Sequence, residues 1–107
     1  MPEFIYQFLA GNRPELLTDP DAWSEEDERA SAEHYERLRQ ATEDGVVILA
    51  GRSLDGVGPS VVVFEAESEE DARRFMEEDP FLTKGLFVAS LHPFRAALVR
   101  DPQRPTP

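Results

Sequence analysis

The 107-residue sequence contains no cysteine. It therefore has no disulfide, no thiolate metal ligand and no cysteine nucleophile, and its composition fits a reducing compartment. No apolar run approaches the roughly 18 residues that a membrane-spanning helix needs, and the N-terminus lacks a basic region leading into an apolar segment. We therefore expect a cytoplasmic protein with no membrane partner.

Positive charge is also scarce. The chain has 11 lysines and arginines against 22 aspartates and glutamates, which gives a formal net charge of −11. Nucleic-acid binding needs a basic stripe, whereas the arginines here are scattered among acidic clusters. We expect no nucleic-acid partner, and we interpret the acidic clusters as solvated helix faces and helix N-termini.

The length and the apolar content indicate one small globular domain. Hydrophobic residues make up 40% of the chain, which is too many for a disordered protein. The proline-rich ending is typical of a disordered tail. We therefore predict a folded domain over residues 1–100 and a disordered tail over 101–107.

The periodicity of apolar residues predicts six main elements in the order β-α-β-β-α-β. The predicted strands cover 3–10, 46–53, 60–66 and 86–99, the last with a bend at Pro93, and the predicted helices run from 24 to 43 and from 68 to 78. The letters "SEED" occur at the start of both helices, and Ser followed three residues later by Asp is typical of a helix N-terminus. This order predicts an α+β, ferredoxin-like fold with an antiparallel four-stranded sheet.

The strands are apolar on both faces, although both helices of such a fold lie on one face of its sheet. Because side chains alternate along a strand, each predicted strand has one apolar set on each face. The opposed sets are Phe4, Tyr6 and Phe8 versus Ile5 and Leu9 in the first strand; Val46, Ile48 and Ala50 versus Val47 and Leu49 in the second; and Val61 and Val63 versus Val62 and Phe64 in the third.

An uncovered apolar sheet face would be costly for a domain of this size. If roughly six such side chains each contribute about 1.5 to 3 kcal/mol when buried, leaving them in water forfeits on the order of 10 kcal/mol. A second copy covers the face with a single self-complementary surface. We therefore predict a homodimer in which two sheets pack face to face and together form an α+β barrel.

The positions of His34 and Asp79 in the predicted fold can be assigned from the sequence. His34 lies four residues after Ala30 and four before Leu38, so it belongs to the helix stripe that faces the sheet. Asp79 follows the second helix at the same layer of the fold. A carboxylate that accepts a hydrogen bond from one imidazole nitrogen fixes the tautomer and leaves the other nitrogen free to move a proton.

Each of these residues also has a plain structural interpretation. An inward histidine is often a satisfied core residue. Asp79 is also a good N-cap for a short helix, because Pro80 follows it and Gly85 closes the segment. The two roles of Asp79 are compatible if one oxygen caps the helix and the other accepts from His34.

Other site candidates follow the second strand. Gly51 would let a ligand approach the backbone, Arg52 could hold an anionic oxygen, and Ser53 lies next to them. An exposed arginine at a hairpin end explains Arg52 equally well. His92 is better explained as a strand-end or dimer-contact residue. With two histidines and no cysteine, we expect no metal, haem or other cofactor.

Several segments together resemble the YCII-related (YciI-like) proteins of the dimeric α+β barrel superfamily. They are "EHYERLRQATEDGVVILAG", "SEEDARRFMEEDPF" and "HPF", and the similarity extends from Phe4 to Val99. The Asp-Pro-Phe that ends the second helix, followed by Gly85, is the most specific of these marks. The resemblance implies a dimer and an active site that pairs His34 with Asp79. It does not imply a particular reaction.

Two functions remain open from the sequence. In the first, the protein is a cofactor-independent enzyme in which His34, oriented by Asp79, transfers a proton on a small organic molecule, such as an aromatic or quinone-like one. This would be a lyase or isomerase type of step. In the second, the same site binds an unknown small molecule without turnover, and the dimer is a binding or accessory module.

Overall fold

The computed structural model describes residues 1–100 of the chain. It contains four strands and three α-helices: β1 (Glu3–Ala10), α1 (Glu25–Glu43), β2 (Val47–Arg52), β3 (Ser60–Glu65), α2 (Glu69–Glu77), α3 (Pro80–Thr83) and β4 (Phe87–Phe94). Two short 3-10 helices, Pro14–Leu17 and Pro20–Ala22, lie between β1 and α1. The predicted disordered tail at 101–107 lies outside the described residues.

The four strands form one antiparallel sheet in the order β2-β3-β1-β4. This order, with a helix after β1 and another after β3, is the predicted ferredoxin-like α+β fold, and the prediction is confirmed. Among residues 1–100, no helix is both long and apolar enough to cross a membrane.

Both predicted helix starts are present, but they differ in detail. Ser24 and Asp27 form a reciprocal capping box at the start of α1. Arg13 adds a two-pronged ion pair to the Asp27 carboxylate, with N–O distances of 3.0 and 2.6 Å, and so ties the loop after β1 to the helix. At α2, the Ser68 hydroxyl accepts from the Asp71 N–H, and no cation from a distant segment of the described chain joins this cap.

The hydrophobic core lies between the helices and one face of the sheet. Tyr6, Val62 and Phe64 of the two central strands are almost fully buried there, and Ala72 and Met76 of α2 pack against them. Aromatic rings pack against one another in this layer: Tyr6 meets Phe8 and Phe64 edge to face, with centroids 5.5 and 5.7 Å apart. The predicted alternation of β1 and β3 is present, and the helices cover the face that carries Phe4, Tyr6 and Phe8 of β1 and Val62 and Phe64 of β3.

The face prediction for β2 is wrong at one point. Val47 pairs with Phe64, but Leu49 pairs with Val63, because the register shifts between them. A β-bulge of this kind inserts one extra residue and reverses the facing of everything beyond it. Val47 is therefore buried at 4% exposure, whereas Leu49 is 55% exposed on the opposite face.

The last strand is shorter than predicted, since β4 ends at Phe94 rather than at 99. Phe94 pairs with Glu3, the first residue of β1, so the partner strand offers no further ladder positions. The Ala96 N–H donates instead to the Glu3 side chain at 2.8 Å. Pro93 is tolerated within β4 because this strand lies at the sheet edge.

The face of the sheet opposite the helices carries apolar side chains that belong to no core cluster. We call this surface the open face. The strand registers assign to it Ile5, Leu9, Leu49, Val61, Val63 and Val88. Three of these remain about half exposed: Leu9 at 43%, Leu49 at 55% and Val88 at 51%.

Candidate active site

Asp79 lies at the N-terminus of α3, as the Asp-Pro-Phe sequence predicts. Its side-chain Oδ1 accepts a hydrogen bond of 2.9 Å from the Phe81 N–H, and Pro80 occupies the first helical position. Gly85 then adopts a φ of +76° and ends the short helix. Asp79 has no exposed surface, so the cap buries a carboxylate that needs further donors.

His34 supplies one of those donors. Its Nδ1 lies 2.8 Å from Oδ1 and 3.0 Å from Oδ2 of Asp79. The capping and the imidazole contacts therefore coexist, although the shorter imidazole contact is to the capping oxygen and not to the other one. The His34 side chain is 16% exposed, which leaves one edge of the ring near the surface of the chain.

Tyr6 is the site residue that the sequence did not reveal. Its hydroxyl donates to Asp79 Oδ2 at 2.7 Å from the centre of β1. Burial, and next the negative charge of Asp79, raise the pKa of Tyr6 well above its usual value, so the hydroxyl keeps its proton. The available signal was a tyrosine standing between Phe4 and Phe8 on a face that is otherwise apolar.

These donors define the hydrogen-bonding role of the imidazole. Tyr6 and the Phe81 N–H both donate to Asp79, and a carboxylate only accepts. We therefore infer that Nδ1 of His34 carries a hydrogen and donates it to Asp79. In the neutral ring, Nε2 then holds a free lone pair, and it forms no hydrogen bond with any residue in the described part of the chain.

Aromatic side chains hold the His34 ring in place. Phe81 stacks on it with centroids 4.0 Å apart and planes 23° apart, and Phe8 meets it edge to face at 5.4 Å. Trp23 packs against Phe81 and anchors the loop after β1 by donating from its indole N–H to the Leu16 carbonyl at 3.0 Å. The imidazole is thus fixed by contacts with Phe8 of β1 and Phe81 of α3, and Trp23, just before α1, supports Phe81.

The other predicted site residues lie on β2 and its hairpin. Arg52 is exposed and pairs with Ser60, while the hydroxyl and the N–H of Ser53 both donate to the Pro59 carbonyl and close the hairpin. Gly51 has open space where a Cβ would be. Among residues 1–100, no hydrogen bond or ion pair joins these three to His34 or Asp79, and their ligand-binding role stays a prediction.

His92 lies on β4 opposite Ile5, which places it on the open face and not beside His34. Within residues 1–100, no group of three histidine, aspartate or glutamate side chains has an arrangement that would hold a metal ion.

The model of the YCII-related domain matches residues 5–95. The chain belongs to the YCII-related family. The matched region runs from within β1 to just beyond the end of β4 and includes both His34 and Asp79. Among curated proteins, none matches the sequence significantly.

The fold of this YCII-related chain is also similar to a solved structure. This is the 5-chloro-2-hydroxyhydroquinone dehydrochlorinase TftG from Burkholderia phenoliruptrix AC1100, in complex with 2,5-dihydroxybenzoquinone. The TM-score is 0.58, the sequence identity is 21%, and the similarity covers 89% of this chain and 94% of that one. At this level of identity, the likeness demonstrates a common fold.

Proposed function

We propose that the protein is a cofactor-independent acid–base enzyme in which Nε2 of His34 moves a proton on a small organic substrate. The observation that carries this proposal is the contact of His34 Nδ1 with the fully buried Asp79 carboxylate. A base oriented in this way accelerates proton transfer by typically 10²- to 10⁴-fold. Asp79 does not exchange the proton itself; it holds the ring and stabilises the imidazolium once that forms.

The surroundings of Asp79 favour this role over that of a core histidine. A fully buried histidine needs a hydrogen-bond partner for each ring nitrogen. Here Asp79 accepts hydrogen bonds from Tyr6 and from the Phe81 N–H in addition to its contact with His34. Nε2 of His34 has no hydrogen-bond partner in residues 1–100. The protein thus fixes one nitrogen and leaves the other available.

The chemical step is a proton abstraction that balances without a redox partner. Nε2 takes a proton from a hydroxyl or an acidic carbon of the substrate, and the electron pair left behind forms a new double bond. In a lyase step, a leaving group departs with its electrons from the adjacent position. In an isomerase step, the imidazolium returns the proton to a different atom of the same molecule.

The substrate class is a small hydroxylated aromatic or quinone-like ring. Two facts support this choice: the similarly folded TftG is a hydroquinone dehydrochlorinase with a bound dihydroxybenzoquinone, and the candidate base lies among Phe8 and Phe81, whose faces suit planar rings. Arg52 would pair with an anionic oxygen, with Gly51 and Ser53 beside it. By register Arg52 lies opposite Ser60, at the end of the sheet where β1 carries Phe8.

We also propose that the working unit is a cytoplasmic homodimer joined through the open face. About half of the surface of Leu9, Leu49 and Val88 is exposed there, and a second copy would cover all three at once. His92 lies on this face opposite Ile5 and would become a dimer contact.

A substrate panel tests the enzymatic proposal. Purified protein is mixed with chlorinated hydroxyhydroquinones and hydroxybenzoquinones, and conversion is followed by ultraviolet absorbance and chloride release. We expect turnover of at least one compound, and a loss of about 100-fold or more in kcat for His34→Gln and Asp79→Asn. Asp71→Asn, which alters an exposed carboxylate paired with Arg74, serves as the matched control.

Two results would contradict the proposed enzymatic function. One is a His34→Gln variant that turns over at the wild-type rate. The other is a panel in which compounds raise the melting temperature but none is converted, which would favour the binding module.

A further inference from the structure

Arg37 lies one helical turn after His34 on the same side of α1, and its side chain reaches the end of α2. Its Nη2 donates to the Phe75 carbonyl at 2.8 Å and lies 3.7 Å from a Glu78 carboxylate oxygen. The Arg37 side chain is 24% exposed, so most of it is enclosed between the two helices. One cation thus joins α1, which carries His34, to the end of α2, which leads directly into Asp79.

The Phe75 carbonyl needs this donor because of how α2 ends. In a continuing helix, the Asp79 N–H would donate to Phe75. It donates instead to the Met76 carbonyl at 3.1 Å, so the chain can turn and present Asp79 as the cap of α3. Arg37 replaces the missing donor at a helix C-terminus, where a positive charge is favourable.

The guanidinium is also held by an aromatic ring. Its central carbon lies 4.3 Å from the centroid of the Phe75 ring, and that ring in turn packs against Tyr6 at 6.4 Å. The remaining nitrogen, Nη1, is buried and has no hydrogen-bond partner in the described residues. The Phe75 ring and the Phe75 carbonyl therefore fix the Arg37 guanidinium in one position, with Nη1 buried in the interior.

From these contacts, we propose that Arg37 is a positioning residue for the dyad. It clamps the junction between α2 and α3 against α1 at a point one turn from His34, and so sets the distance between His34 Nδ1 and Asp79. Through this clamp, it selects the tautomer in which Nε2 is free to accept a proton. The inference rests on the proposed function, because it names a residue that prepares His34 for that chemistry.

The electrostatics of Tyr6 are consistent with this placement. Burial and the Asp79 carboxylate raise the pKa of the Tyr6 hydroxyl, and the positive charge of Arg37 opposes them. Arg37 therefore lies close enough to act on the hydroxyl that holds Asp79 from the side of the sheet. Arg37 also positions the Asp79 carboxylate indirectly, by holding the Phe75 carbonyl and the Glu78 side chain in the segment that leads into Asp79.

Nitrogen-15 NMR of the imidazole tests the proposal, because the two ring nitrogens report the tautomer directly. We expect Arg37→Met to lower the ratio of the Nδ1–H to the Nε2–H form of His34 at least threefold, compared at a pH where the spectra show a neutral ring in both proteins. Arg37→Lys should give an intermediate ratio, since an ammonium can reach the Phe75 carbonyl but lacks a second planar donor. Arg39→Met is the control, because Arg39 lies on the same helix but, among residues 1–100, forms ion pairs with Glu36 and Glu43 alone, at the surface.

A wild-type ratio in folded Arg37→Met, even with a lower melting temperature, would overturn the proposal and leave Arg37 a helix cap alone. If Arg37→Met does not fold, Arg37→Lys decides: a ratio equal to wild type overturns the proposal, and a lower ratio supports it. Evenly populated tautomers in the wild-type protein would instead contradict the proposed function itself. The two failures are thus distinguishable.

Discussion

The Tyr6 hydroxyl and the Asp79 carboxylate are joined by a 2.7 Å hydrogen bond between residues 73 positions apart in the chain. Neither residue has any exposed surface. The central strand of the sheet therefore fixes the carboxylate that contacts His34, and the site is part of the core. A change in the packing of β1 should be felt at the imidazole.

Tyr6→Phe removes this hydroxyl without changing the volume of the ring. Asp79 then loses one of its donors inside the core, and a buried acceptor left short of a partner costs about 1 to 3 kcal/mol. We expect the free energy of unfolding in urea to fall by that amount. Tyr35→Phe is the matched control: its side chain is 69% exposed, and the change should be within about 0.5 kcal/mol. Equal effects of the two substitutions would contradict the assignment.

The ion pair between Arg13 and Asp27 should make stability depend on pH. Arg13 first, and then the Ser24 N–H, hold the pKa of Asp27 well below its usual range. A carboxyl whose pKa is lower in the folded state contributes stability above its unfolded pKa of about 3.9, and this is lost as pH falls toward the folded value. Asp27→Asn should therefore be less stable than wild type at pH 7, and the difference should shrink steadily below about pH 4.

The repeated "SEED" motif provides the control for this prediction. Asp71 occupies the same position in α2 as Asp27 in α1, but within residues 1–100 it forms an ion pair with the nearby Arg74 alone, on the surface. Asp71→Asn should therefore change the free energy of unfolding by little at any pH. Thermal melts of both variants from pH 2.5 to 7 give the comparison. A wild-type-minus-Asp27→Asn difference that does not change with pH would count against the ion pair.

The open face predicts a specific effect on assembly. Leu49→Glu places a charge on that face, and each of two copies loses about 1.5 to 3 kcal/mol of apolar burial. The dissociation constant of the dimer should rise on the order of 100-fold or more. Leu54→Glu is the control, since Leu54 is 86% exposed on the hairpin between β2 and β3. Sedimentation of wild type as a monomer at micromolar concentration would refute the dimer.

Local signals in the sequence were enough to predict most of the fold. Ser24 and Ser68 determine both helix starts through hydrogen bonds within four residues, and Gly45 stops α1 with a positive φ. Such signals are readable because the interacting groups are neighbours in the chain. The Asp79 cap of α3 belongs to the same class, and it too was predictable.

What the sequence left out depends on distant contacts. The bulge in β2 arises where Val47 and Leu49 pair with consecutive residues of β3, and the sequence of β2 contains no local signal that predicts it. Tyr6 and Arg37 looked like ordinary strand and helix residues, because their partners lie 73 and 38 positions away. His34 and Asp79 were predictable as a pair only through the residue pattern that the family shares.

The most direct test of the account is the tautomer of His34 in wild type and in Asp79→Asn. At a pH where the nitrogen-15 shifts show a neutral ring, long-range nitrogen-15 correlation spectra distinguish a protonated Nδ1 from a protonated Nε2. We expect wild type to populate the Nδ1–H form almost alone and Asp79→Asn to lose that preference. A wild-type ring protonated mainly on Nε2, or a preference unchanged in Asp79→Asn, would contradict the claim that Asp79 prepares His34 as a base.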